Sequence, residues 1–131
     1  FSEEVLKDAV SVKGQPQFYK VTGVAEFEQL LSDARSDEQS VILDFYADWC
    51  TDCLRMEKTT FNDPQVRTDL TQFRLLKLDV TDPSDPVGKT IKQRYGVYGP
   101  PAMLFFDAQG QELLAKRLYG YLDPNRFLSL L

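Results

Sequence analysis

Residues 41–53 read VILDFYADWCTDC, and this stretch decides the fold. It begins with apolar and β-branched residues over a length typical of a buried strand. It ends in a Cys-x-x-Cys motif, Cys50 and Cys53, after which residues 54–59 are typical of a helix. The free N–H groups and the positive dipole end of a helix start favour a thiolate on Cys50. The two-residue spacer lets Cys53, one turn further on, close a small disulfide ring with it.

The composition of the chain limits what it can bind. Its 131 residues are enough for one domain with a real core and too few for two. The formal net charge of -5 argues against nucleic acid or an anionic membrane as a partner. Since no apolar run approaches the roughly 20 residues of a membrane span, we expect no membrane insertion of this domain. The sequence begins at Phe1 without a signal peptide, so we expect an excised mature domain.

Two cysteines and no histidine restrict the chemistry. A structural zinc site needs four Cys or His ligands, so we expect no metal at the Cys motif. A Cys–His nucleophilic pair and a Ser–His–Asp triad both need a histidine. A structural disulfide remains an alternative, but its tiny ring stabilises little compared with the roughly 3 kcal/mol of a 15-residue loop. We therefore expect a redox-active disulfide and no bound cofactor.

The remaining patterns alternate between strands and helices. Residues 1–15 are polar without a clear period, and we interpret them as a linker or N-terminal arm before a domain at 16–131. Strands are predicted at 16–21, from 41 toward the Cys motif, and at 73–80, 102–106 and 111–119. The element order β-α-β-α-β-α-β-β-α predicts an α/β fold with a central mixed sheet flanked by helices.

The predicted helices carry recognisable boundaries. The first has one apolar face, made by Val24, Phe27, Leu30, Leu31 and Ala34. Asp63, Asp85 and Asp123 each precede a proline, the pattern of an N-cap before a first-turn Pro. The helix after the Cys motif is predicted to break near residues 61–62, and Gly96 is a predicted C-cap.

These motifs resemble the thioredoxin superfamily over about residues 18–131. The resemblance rests on the string DFYADWCxxC at 44–53, on Pro101 ahead of an apolar strand, and on Gly120 near the end. It implies a thioredoxin fold and a cis peptide bond before Pro101.

Within the superfamily, three features resemble the C-terminal periplasmic domain of the DsbD family. They are the string YADWC at 46–50, Glu57, and the segment FNDPQV at 61–66. That family is a bacterial inner-membrane electron transporter. The resemblance implies a soluble periplasmic domain that takes electrons from the membrane-embedded domain of its own chain, through transient mixed disulfides. It then hands them to the N-terminal periplasmic domain, which reduces disulfide isomerase and cytochrome c maturation partners.

The same resemblance makes residues 1–15 the tether from the last membrane helix, and we expect a monomer. Two other functions stay open: a stand-alone thioredoxin-like reductase, and a redox-inert binding module on the same fold. An intact Cys pair argues against the inert module.

Four residues are assigned to the chemistry. Cys50 is the candidate nucleophile because it sits at the helix start and, we expect, nearer to solvent; Cys53 is the resolving thiol. Asp44 resembles the buried Asp of thioredoxins. Desolvation would raise its pKa and suit it to shuttle the proton of Cys53, although it could instead be a strand-end Asp bonded to a backbone N–H. Glu57, one turn beyond Cys53, either joins this group or faces solvent.

Further residues are expected at the rim. Trp49 and Tyr46 either help to dock partners or belong to the core. A cis Pro101 would present the backbone of residue 100 to a substrate strand. That residue, Pro100, has no N–H to donate to a substrate strand. Substrate binding should therefore be weaker, or it should depend on other residues. Lys77, on the third strand, either approaches the buried carboxyl or is solvated.

Two acids near one dithiol should disfavour a thiolate and oppose the helix dipole. We therefore predict that Cys50 titrates at or above the roughly 8.5 of a free cysteine. Thr51 and Asp52 replace the Gly-Pro spacer usual in thioredoxins, which leaves the redox poise open.

Overall fold

A computed structural model of the protein describes residues 17–131, so the predicted arm at residues 1–15 lies outside the described residues. The strands are β1 Tyr19–Lys20, β2 Val41–Tyr46, β3 Arg74–Asp79, β4 Ala102–Phe106 and β5 Leu118–Tyr119. The helices are α1 Val24–Ser36, α2 Thr51–Arg55, α3 Pro64–Leu70, α4 Pro86–Tyr95 and α5 Pro124–Leu130. A π-helical turn, Met56–Thr60, continues α2, and a 3-10 turn, Leu114–Lys116, precedes β5.

The strands form one sheet in the order β1-β3-β2-β4-β5. β1 and β2 both run parallel to β3, whereas β4 is antiparallel to β2, and β5 to β4. Helical crossovers therefore build the parallel part of the sheet. β4 runs opposite to these strands, and β5 returns to the direction of β2. The predicted α/β architecture, with a mixed central sheet flanked by helices, is confirmed.

Alternate residues of β2 divide the core into two layers. Phe45 packs with Phe27 of α1 and Ile91 of α4. Ile42 lies on the opposite face, in a cluster that includes Met56, Val66, Leu70 and Phe127 from the π-helical turn, α3 and α5. Because side chains alternate between the two faces of a strand, Asp44 points to the same side of the sheet as Ile42.

The predicted helix boundaries are confirmed. The carboxylates of Asp63, Asp85 and Asp123 each accept a backbone N–H in the first turn of α3, α4 and α5, at 3.1, 2.9 and 2.9 Å. Gly96 ends α4 with a φ of 64°, a backbone conformation that favours glycine. The predicted break near residues 61–62 falls between the π-helical turn and α3.

The predicted strand at 111–119 is wrong for most of its length. Only Leu118–Tyr119 forms a strand, together with an isolated bridge between Phe106 and Glu112. The reason is the ion pair of Arg117 with Glu112, whose closest atoms are 2.7 Å apart. In a continuous strand the Cα atoms of these two residues, five positions apart, would be about 16 Å from each other, too far for their side chains to pair. The chain therefore turns back on itself here, through the 3-10 turn.

Candidate active site

Cys50 and Cys53 form a disulfide at the start of α2. Cys50 is the N-cap of this helix, and its Sγ accepts the backbone N–H of Cys53 at 3.1 Å. The turn that follows β2 is closed by a hydrogen bond from the Cys50 N–H to the Ala47 carbonyl, at 3.1 Å. A helix-start N–H therefore already points at the sulfur that would carry negative charge after reduction.

The two cysteines are equally buried. Each is 5% exposed, so the expectation that Cys50 lies nearer to solvent is wrong for the residues as wholes. The reason is that the surrounding chain covers both residues, whose Cα atoms are only 5.2 Å apart. Their neighbours differ instead: Cys53 lines a small cavity together with Asp44, whereas Cys50 Sγ caps the helix.

Asp44 is a buried carboxyl within β2. It is 7% exposed, and the cavity that it shares with Cys53 is also lined by Met56 and Pro101. Removal from water raises the pKa of Asp44 from 3.8 to about 7, and the nearby Lys77 ammonium opposes part of this rise. A carboxyl with this pKa can accept and release a proton near neutral pH.

Lys77 and Glu57 form an ion pair close to Asp44. Lys77 stands opposite Asp44 in the β2–β3 ladder, so its side chain leaves the same face of the sheet. Its Nζ lies 3.0 Å from Glu57 Oε2 and 4.0 Å from the centre of the Tyr46 ring. Both charged side chains are partly buried. Glu57 therefore does not simply face solvent, and Lys77 is not a solvated strand-end residue.

Trp49 lies on the surface beside the disulfide. It is 60% exposed, which rules out the alternative that it belongs to the core. Its indole N–H donates to the Thr81 carbonyl at 3.0 Å, and the Asp48 N–H donates to the Thr81 hydroxyl at 2.9 Å. Thr81 thus positions the turn before Cys50, a role that no sequence pattern indicated.

Tyr46 ends β2 in a partly buried position. Its hydroxyl donates to Asp79 Oδ2 at 3.3 Å. Burial and the Asp79 charge raise the pKa of Tyr46 to about 12. The phenol therefore stays protonated at neutral pH and keeps this hydrogen bond.

The bond between Pro100 and Pro101 is cis, as the resemblance implied. Pro101 lines the cavity with Cys53 and Asp44. Its carbonyl accepts the N–H of Gly120 at 3.1 Å, and Gly120 has a φ of 84°, a conformation that favours glycine. The loop before β4 and the end of β5 therefore meet beside the disulfide.

Two exposed tyrosines near this loop were missed from the sequence. Tyr98 precedes the cis bond and Tyr119 ends β5, and their ring centroids are 6.0 Å apart. The only signal would have been their sequence positions, since Tyr98 lies two residues before Pro100 and Tyr119 directly before Gly120. Such positions do not indicate that the two rings are in contact.

Within residues 17–131, no group of three Cys, Asp or Glu side chains is arranged to hold a metal ion. No helix in that same part of the chain is both long and apolar enough to cross a membrane.

The curated relatives of this chain include proteins named for thiol:disulfide interchange. The thiol:disulfide interchange protein DsbD of Pseudomonas fluorescens is 46% identical over 122 residues, which are 92% of this chain and 21% of that protein. DsbD of Photorhabdus laumondii is 42% identical over 84% of this chain and 19% of its own length. The chain therefore spans about a fifth of the length of these curated relatives.

Solved structures agree as well. The oxidised form of the Neisseria meningitidis DsbD C-terminal domain superposes with a TM-score of 0.70 at 27% identity, covering 86% of this chain and 95% of that one. Its reduced form also gives 0.70, at 29% identity, with 80% and 90% covered. A family model described as the thioredoxin-like domain matches residues 27–131. With its mixed sheet and its disulfide at a helix start, this chain belongs to the family of thioredoxin-like domains.

Proposed function

We propose that this chain is a thiol:disulfide oxidoreductase, working as a protein-disulfide reductase. The observation that carries the proposal is the Cys50–Cys53 disulfide at a helix start, with Asp44 buried in the cavity that Cys53 lines. A clip that only braced the fold would need no buried carboxyl of pKa about 7 beside it.

The reduced dithiol begins the reaction at Cys50. Its thiolate, stabilised by the helix-start N–H, attacks one sulfur of a partner disulfide. A bond forms between Cys50 and that sulfur, the partner's S–S bond breaks, and its second sulfur leaves with the electron pair and takes a proton. The product is a mixed disulfide between the two proteins.

Cys53 completes the transfer. Asp44, in its ionised form, accepts the Cys53 proton through their shared cavity, and the Cys53 thiolate attacks Cys50 Sγ. The mixed disulfide breaks, the partner's first sulfur leaves as a thiolate, and the Cys50–Cys53 bond re-forms. Two electrons have passed from this domain to the partner, without a bound cofactor. A dithiol upstream restores the reduced state by the same exchange in reverse.

The names of the relatives support a more specific role. Both curated relatives are called thiol:disulfide interchange protein DsbD, and this chain matches about a fifth of each. The upstream donor is then a membrane-embedded domain of the same DsbD-type protein, and the acceptor is its N-terminal periplasmic domain. The domain works in the periplasm, as a monomer on an inner-membrane protein, with residues 1–15 as its tether.

The test is trapping with a single-cysteine variant. Cys53→Ala should hold a periplasmic DsbD-type N-terminal domain as a mixed disulfide through Cys50, because the resolving thiol is missing. Cys50→Ala is the matched control and should trap far less. Trapping through Cys53 in the Cys50→Ala variant instead would reverse the assigned roles.

A second assay separates the reductase from the alternatives. The wild-type domain should increase the rate at which dithiothreitol reduces insulin. Both single-cysteine variants should lose this increase. Failure of the wild-type domain would favour the redox-inert binding module. Insulin reduction without capture of the DsbD-type domain would favour a stand-alone reductase.

A further inference from the structure

Beside the loop that carries the cis bond lies a pair of surface tyrosines that neither the core nor the thiol chemistry uses. Tyr98 is 92% exposed and Tyr119 is 42% exposed. Their ring planes are tilted by 39° at a centroid distance of 6.0 Å. We call these two residues the tyrosine pair. Neighbouring exposed aromatic rings form a surface suited to binding another molecule.

The tyrosine pair adjoins the loop that carries the cis bond. Tyr119 stands opposite Ala102, the residue after Pro101, in the β4–β5 ladder. The next residue, Gly120, donates its N–H to the Pro101 carbonyl at 3.1 Å. Gly120 and Pro101 both line the cavity that contains Cys53. A partner whose sulfur bonds to the Cys motif therefore brings its neighbouring residues to this surface.

An ion pair contacts one member of the tyrosine pair and restricts its position. The Arg117 guanidinium donates to both carboxylate oxygens of Glu112, each at 2.7 Å. The same guanidinium donates to the Tyr119 hydroxyl at 3.5 Å. A ring that is already held loses less conformational entropy when a partner covers it. The turn that replaces the predicted strand at 111–119 thus supports the tyrosine pair.

The backbone beside the pair is a poor template for a partner strand. Extended peptides bind at such an edge through alternating N–H and carbonyl groups. Pro100 has no N–H, so at this position only its carbonyl can pair. A partner segment held by fewer backbone bonds needs side-chain contacts to fix its position.

We propose that the tyrosine pair, Tyr98 and Tyr119, binds an apolar side chain, aromatic or proline, that neighbours the reactive cysteine of an extended partner segment. This inference rests on the proposed function, because the partner's sulfur must reach Cys50. Aromatic and proline side chains pack on tyrosine rings. A charged side chain would lose water there without gaining an opposite charge, because the nearby Arg117 is already paired with Glu112.

The experiment uses the reduced protein and short peptides as probes. Blocked peptides Gly-Xaa-Cys-Xaa-Gly carry their cysteine as a mixed disulfide with thionitrobenzoate, where Xaa is Phe, Gly or Asp. The Cys50 thiolate attacks the peptide sulfur, and coloured thionitrobenzoate leaves with the electron pair. Cys53 then attacks Cys50 and releases the peptide thiol. The absorbance change gives a second-order rate constant for each peptide.

The wild-type domain should react with the Phe peptide about two- to tenfold faster than with the Gly peptide, the range expected of aromatic contacts. Tyr98→Ala and Tyr119→Ala should each remove most of this preference and leave the rate with the Gly peptide unchanged. Tyr98→Phe, which keeps the ring, should retain it. Tyr19→Ala is the matched control, since Tyr19 is an exposed tyrosine on β1, and it should change nothing.

Several results would overturn the role of the tyrosine pair. Equal wild-type rates with the Phe and Gly peptides would do so, as would a preference that survives the double Ala variant. A faster reaction with the Asp peptide than with the Phe peptide would show that this surface selects partners by charge instead. Dimers in sedimentation that Tyr98→Ala abolishes would assign the pair to a second copy of the chain. No reaction with any peptide would remove the proposed function itself, whereas equal rates leave that function standing.

Discussion

Replacing Asp44 with Asn should make the oxidised protein more stable, by an amount that grows with pH. The carboxyl is buried, and its pKa is raised from 3.8 to about 7. Between these values the folded state holds a proton that the unfolded state has lost, so stability falls as pH rises. Below 3.8 both states are protonated, and the raised pKa costs nothing.

The size of the effect follows from the two pKa values. At 1.36 kcal/mol per unit, the difference between 3.8 and about 7 corresponds to roughly 4 kcal/mol above pH 7. At pH 5 only the first part of this cost is present, about 2 kcal/mol. Asn is neutral at every pH and close to Asp in size. Asp44→Asn should therefore stabilise the domain by about 2 kcal/mol at pH 5 and about 4 kcal/mol at pH 8.

Urea denaturation of the oxidised proteins at the two pH values measures this directly. Asp33→Asn is the matched control, because Asp33 is exposed on α1, and it should give a much smaller pH-dependent difference. The reasoning is refuted if Asp44→Asn changes the free energy of unfolding equally at pH 5 and pH 8, or if it destabilises more at pH 8.

Three further predictions use other residues. The alkylation rate of the reduced protein should place the Cys50 thiol pKa at or above roughly 8.5, and a midpoint near 5 would contradict this. Lys77→Met removes a charge that lowers the pKa of Asp44, so NMR titration of that carboxyl should show a midpoint above the wild-type one; an unchanged or lower midpoint would exclude the effect. Phe127→Ala leaves a cavity at a fully buried site. It should lower the free energy of unfolding, measured by urea denaturation, by about 3–5 kcal/mol. Leu114→Ala, at an exposed position, is its control, and similar losses in both would count against the cavity explanation.

Local signals predicted most of this fold. Each helix that begins with Asp-Pro was found where its capping pattern placed it, because the Asp carboxylate satisfies N–H groups within its own turn. The Cys motif likewise needs only the end of β2 and the start of α2, which are adjacent in sequence. Such features depend on a few neighbouring residues, so a sequence can reveal them.

Features that depend on contacts between distant segments were missed or left open. Nothing local shows that Arg117 and Glu112 pair and shorten β5. Sequence position could not distinguish a solvated Lys77 from one paired with Glu57, because that contact joins β3 to the π-helical turn. The equal burial of the two cysteines also depends on how the surrounding chain covers them. The tyrosine pair belongs to this class too.

The outer strands of the sheet have a consequence for how other molecules can meet this domain. Among residues 17–131, β1 and β5 are each two residues long, so each of these strands offers only a few backbone groups to a neighbouring chain. Aggregation through exposed sheet edges requires backbone hydrogen bonds between the edge strands of two molecules. Edge strands of two residues can form few such bonds. Copies of the chain thus find little backbone at these two flanks through which their sheets could join.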